Sequence, residues 1–157
     1  MTDRASEREG DEAREIRDRQ VAEILQELRV ATTGGQILFA FLLTVPFAQG
    51  WADTDHFQRT LFLITLVSIG TATGCFIAPT AAHRLRFHQG DREFLVSYAN
   101  VAAITGLVCL MTAMVSAMLL VTDFVFSRTT SIIATGGVAL VLLTLWFVVP
   151  LSRYLRD

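Results

Sequence analysis

Gln36, Thr44, Thr71 and Asn100 are polar side chains in strongly apolar surroundings. Thr32, Gln36, Ala40 and Thr44 recur every four residues, which puts a small, polar face on one side of a helix. Thr71 and Thr73, and further on Asn100 and Thr105, are placed to look toward that face from neighbouring helices. Amides and hydroxyls of this kind either line a polar path or hydrogen-bond across helices, where a pair contributes on average under about 1 kcal/mol. A second group lies in APTAAHRLRFHQGDRE, where His83, Arg84, Arg86 and Arg92 form a compact basic patch with His88. Such a patch suits anionic lipid headgroups, and a histidine in it titrates near neutral pH. Glu23 and Glu27 are candidate salt-bridge partners for Arg84 or Arg86.

Other chemistry finds no foothold. The chain has no GxSxG, no HExxH and no phosphate-binding loop. No carboxylate falls inside an apolar segment, and Asp123 at a segment boundary comes nearest. Ion-coupled transport ordinarily uses an ionisable group within the membrane. These residues predict no enzyme, no cofactor and no metal.

The elements that would carry these residues are membrane helices. The chain is 52% hydrophobic and 18% charged, against about 25% charged in a soluble domain. Nine of its fifteen acidic residues and six of its thirteen arginines precede Val30, and it has no lysine. The net charge of −2 therefore describes an acidic tail on an apolar body and gives no basis for nucleic-acid binding. A bilayer core needs about 20 apolar residues as a helix. Four segments qualify, at about 30–48, 60–80, 94–121 and 130–151. The short gaps between them predict an all-α, up-down bundle of four transmembrane helices over 30–157.

Arginine placement predicts the orientation. Eleven arginines fall in the N-terminal region, the second gap and the C-terminal tail, leaving Arg59 and Arg128 for the opposite side. Both termini are expected in the cytoplasm, with the chain as a multi-pass protein of the inner (cytoplasmic) membrane. Residues 1–15 are acidic and read as a disordered tail. Residues 16–29 place Ile16, Val21, Ile24, Leu25 and Leu28 at helical spacing, the pattern of an amphipathic juxtamembrane helix. The polar residues preceding the first apolar run make a cleaved signal peptide unexpected. Gln36 is expected about one turn inside the inner boundary.

Small residues set the expected packing. Gly70, Gly74 and Ala78 form a stripe at four-residue spacing on the second span, and Ala99, Gly106 and Ala113 form one at heptad spacing on the third. Small residues let helix backbones approach closely in lipid. The two stripes would pack on each other within one bundle, or one of them would face a second copy in a homodimer or another membrane protein. Cys75 and Cys109 are expected at depths about 10 Å apart, too far for a disulfide.

The run LQELRVATTGGQILFAFLLTVPF, then QRTLFLITL, then IAPTAAHRLRF, resembles a family of small actinobacterial membrane proteins, domain of unknown function 6328. The resemblance covers roughly Ile24 to Val121, with the last span expected to belong to it, and implies a four-helix inner-membrane protein. Some members carry an automatic label of sodium:proton antiporter. Two function classes follow from the whole reading. One is a non-enzymatic bundle acting through packing, anionic lipid or a partner. The other is a small oligomeric transporter or conduit exchanging monovalent cations for protons.

Overall fold

A computed structural model describes residues 19, 26, 29–85 and 92–154, save the side chains of 83, 85, 92–96, 153 and 154. The expected amphipathic helix, with Glu23 and Glu27, lies almost wholly outside the described residues. So do Arg86 and the side chains of His83 and Arg92.

The described chain is all helical. Within the continuously described residues helix α1 covers 29–44 and ends in a 3-10 turn, Val45–Phe47, around Pro46. A second 3-10 turn, Trp51–Asp53, follows Gly50 at φ +94°, a left-handed conformation that only glycine adopts without strain. Helix α2 is His56–Leu85, α3 is Arg92–Val125 and α4 is Arg128–Leu143. A π-turn, Thr144–Val148, joins α4 to the short α5, Val149–Tyr154. In that turn Val149 N–H reaches back five residues to the Thr144 carbonyl. Pro150 comes next, with no N–H and a ring that would crowd the preceding turn; widening the helix ahead of it relieves the clash.

Four stretches are long and apolar enough to cross a membrane: Arg29–Phe47, His56–Ala82, Ser97–Val125 and Arg128–Ser152. The second starts four residues before the apolar run and the third ends four residues after its own. The polar residues at those ends carry caps and hydrogen bonds of their own, so the helices continue through them. Only Phe126 and Ser127 separate α3 from α4.

The bundle is built on the α2–α3 pair. The buried face of α2 is Leu61, Thr65, Ile69, Ala72 and Phe76, with buried Pro79 beyond it. Facing it on α3 are Ala102, Ala113, Ser116 and Leu120. Thr65 is level with Ser116, and their hydroxyls bond at 2.9 Å. Ile69 is level with Ala113 in one apolar cluster, completed by Leu42 from α1. One side of the Phe76 ring lies against Gly106, where an added Cβ would sit 2.5 Å from Cε1. Helix α1 seats on α2 at Gly35, whose added Cβ would approach Ile69 to 3.3 Å. Helix α4 packs on α3 through Ser131 and Thr135, both buried. Ser131 donates to Ser127 O, whereas the buried Thr135 hydroxyl has no hydrogen-bond partner.

Two packing expectations change. Gly106 and Ala113 of the α3 stripe are buried, with Ala99 half-buried, but the Gly70–Gly74 stripe of α2 does not face them: both glycines are exposed, with Ala78 half-buried. Ala72 and the large Phe76 meet α3 instead, because Gly106 makes the space on the α3 side. The same register puts Cys75 and Cys109 about 3 Å apart along the helix axes, not 10 Å, because α3 extends past the end of α2. Both thiols are free, and Cys109 packs against Ala72 and Phe76.

Overpacking of this kind in a tight core costs about 1–3 kcal/mol. Gly106→Ala is therefore expected to lower the thermal unfolding temperature in detergent, Gly106→Leu to lower it further, and Phe76→Leu to recover part of the Gly106→Ala loss. Equal stability of Gly106→Ala and the native protein would remove this contact from the core.

Candidate functional site

The densest polar arrangement among the described residues joins the α1–α2 and α3–α4 turns at one end of the bundle. It begins with the start of α2. Asp55 precedes the helix, and its Oδ1 accepts the Gln58 backbone N–H at 2.8 Å. The Gln58 Oε1 in turn accepts the Asp55 N–H at 3.2 Å. This is a reciprocal capping box, written in the sequence as Asp-x-x-Gln, and it satisfies two N–H groups that a helix start leaves open.

The same Gln58 side chain reaches across the bundle. Its Nε2 donates to Asp123 Oδ2 at 2.9 Å. Asp123 also accepts from Arg128, at Nε (3.2 Å) and Nη2 (3.3 Å). Arg128 Nη2 bonds Asp55 as well, and the guanidinium stacks 4.3 Å over the Phe57 ring. One guanidinium thus ties the last turn of α3, the first of α4 and the cap of α2. Its surroundings are graded: the Asp123 side chain is 4% exposed and that of Arg128 is 47% exposed. Beside this group Arg59 Nε donates to Thr54 Oγ1 at 3.0 Å, and Thr54 Oγ1 donates to Trp51 O at 2.7 Å. The Trp51 ring meets Phe62 edge-on at 4.9 Å.

Donation from the Gln58 backbone and from Arg128 holds the Asp55 carboxyl below its ordinary value of 3.8. No group of three metal-binding side chains occurs among the described residues.

The polar face expected from the first span is not gathered into one place. Thr44 donates to Phe41 O and Thr71 to Val67 O, each within its own helix, and both are exposed. Asn100 is exposed on α3, three residues from the start of that apolar stretch. Gln36 borders a shallow groove of about 170 Å³ with Phe39, Gly70 and Thr73. Arg84 is exposed near the far end of α2. The residues that do converge, Asp55, Phe57 and Gln58, had a legible signal in the Asp-x-x-Gln cap. Nothing in the sequence pairs that cap with Asp123 and Arg128, some 65 to 73 positions away.

Fold and site together define a small helical protein with four apolar helices of membrane-spanning length and a charged clamp at one end. The chain belongs to a family of unknown function, DUF6328, whose model matches residues 10–150. No curated protein and no solved structure matches it.

The clamp orders the effects of substitution. Arg128→Met leaves the enclosed Asp123 carboxylate with Gln58 alone, and a buried charge stripped of its partner is costly. It is expected to lower thermal stability more than Asp55→Asn, which removes one exposed contact. Because the Asp55 carboxyl is depressed in the fold, its contribution is fully present above 3.8 and is lost as pH falls through the folded value. The unfolding temperature of the native protein should drop more steeply below about pH 4 than that of Asp55→Asn. Parallel acid limbs in the two proteins would show that the Asp55 contacts add nothing to stability.

Proposed function

We propose that this protein is a non-enzymatic, multi-pass protein of the cytoplasmic membrane, with both termini in the cytoplasm. It acts through contacts its helices make within the bilayer and through a cytoplasmic basic face that binds anionic lipid. The observation that carries this reading is how little the helices cover one another. Only 28% of an 18-residue apolar window in the best-covered stretch, His56–Ala82, is buried within the chain, and 6% of the corresponding window in Arg128–Ser152. Ile37, Phe41, Val67, Ile133, Leu140 and Leu145 stand exposed around the bundle. Such a surface needs hydrocarbon around it.

Two further points support it. The hydroxyls of Thr65, Thr73, Thr112 and Thr144 donate to carbonyls one turn back in their own helices, as apolar surroundings require. Asp123, the acid nearest a helix interior, is held by Arg128 and Gln58, so it belongs to the bundle's clamp. Arg84 lies at the opposite end of α2 from that clamp, and the preponderance of arginine there assigns it to the cytoplasm.

The test is labelling by a membrane-impermeant thiol reagent in a Cys75→Ala, Cys109→Ala background. Asp53→Cys should react from outside intact cells, and Arg84→Cys only after permeabilisation. The reverse pattern overturns the orientation. Purified protein in liposomes carrying a pH-sensitive dye should show no proton movement after a sodium or potassium pulse. Cation-driven proton flux abolished by Asp123→Asn would replace this reading with that of an antiporter.

A further inference from the structure

Gln36 carries an amide with two N–H donors and an acceptor oxygen, and it makes no hydrogen bond to any described residue. Its depth makes that unusual. It lies at least seven residues inside the first apolar stretch, whose described part opens at Arg29, and eleven from Phe47, at least about 10 Å from one end and about 16 Å from the other. Its neighbours across the groove agree. Gly70 is fourteen residues from His56 and twelve from Ala82, near the middle of the second stretch. The amide therefore stands near mid-depth, two turns in rather than one. It is too far inside to reach the headgroups, on the face of the bundle that hydrocarbon would bathe.

Acyl chains offer neither donor nor acceptor, so lipid leaves the amide unsatisfied at a cost of several kcal/mol. The occupant of this face must bring a donor and an acceptor to the same depth. A second copy does so by symmetry: about a two-fold axis along the membrane normal, each residue meets its counterpart's level, and an amide complements itself. The surface around Gln36 also admits a close approach. Gly70 and Gly74 are exposed, and an added Cβ at Gly74 would meet nothing within 4 Å. We propose that the α1/α2 face bearing Gln36, Gly70 and Gly74 is the contact between two copies of this chain in the membrane, with the Gln36 amides hydrogen-bonded to each other.

This rests on the membrane-spanning reading above, and the experiment separates the two. In the Cys75→Ala, Cys109→Ala background, Gln36→Cys in vesicles should form a disulfide-linked dimer on oxidation with copper–phenanthroline. Leu140→Cys, also exposed and at the middle of the fourth stretch, should not. Energy transfer between fluorophores on Asp53→Cys in liposomes then measures the association. Gln36→Leu should weaken it about 3- to 20-fold, and Gly74→Leu should abolish it. Gly74→Leu should leave thermal stability unchanged, because the side chain has open space in the single chain. The proposal is overturned if the protein is monomeric at every protein-to-lipid ratio, or if Leu140→Cys crosslinks in place of Gln36→Cys. It is equally overturned if Gln36→Leu associates like the native protein, or if a different protein co-purifies stoichiometrically in place of the second copy. Thiol labelling of Asp53→Cys and Arg84→Cys in the same vesicles reports membrane insertion independently of each result.

Discussion

The bundle depends on the approach of the Phe76 ring to the bare backbone at Gly106. In lipid there is no hydrophobic drive between helices, so association comes from close packing and from hydrogen bonds that lipid cannot replace. The α2–α3 seam has both. The ring fills the space left by the missing side chain, and about three turns further along Thr65 and Ser116 bond across a buried interface. These two contacts lock one register, and Ile69, Leu42 and Ala113 meet between them. Helix α1 and helix α4 then settle on opposite needs: α1 closes over Ile69 at Gly35, while α4 rests small hydroxyl residues on α3.

The clamp answers a different requirement. Helix ends carry unsatisfied backbone groups, and the end where two turns meet has to fix which turn sits beside which. Gln58 does both, capping α2 with one atom and holding Asp123 with another. Arg128 is suited to the junction because its planar, multi-donor head can serve Asp123 and Asp55 at once while its face lies on Phe57. A lysine would offer a point charge and lose the geometry. The clamp also explains why a turn of two residues suffices between α3 and α4, since Ser127 caps the new helix as soon as the old one ends.

What was legible beforehand divides along physical lines. Four apolar runs of bilayer length declare themselves one residue at a time, so the helices and their alternation could be read directly. Helix ends were less plain: Asp55 and Gln58 carry the Asp-x-x-Gln signal of a cap, but Thr122 looks like a loop residue until its hydrogen bonds are known. The Gly70–Gly74 stripe invited a pairing with α3, but helical spacing alone does not say which face of α2 turns inward. Gly106 decided that by accepting Phe76. The polar face of the first span dispersed for a related reason: Thr44 and Thr71 satisfy themselves within their own helices, whereas the Gln36 amide makes no hydrogen bond to a described residue.

The sequence by itself determined that this chain forms four apolar helices of spanning length joined by short turns. It also gathers eleven of its thirteen arginines in the N-terminal region, the second gap and the C-terminal tail, because composition and length are local properties that solvent transfer reads directly. Only the tertiary structure decided that Phe76 and Gly106 set the register and that Arg128 joins Asp55 to Asp123 across about seventy residues. It alone left Gln36 and the Gly70–Gly74 stripe on the outer face. These are properties of side-chain direction and contact between distant segments, which residue spacing on one helix does not contain.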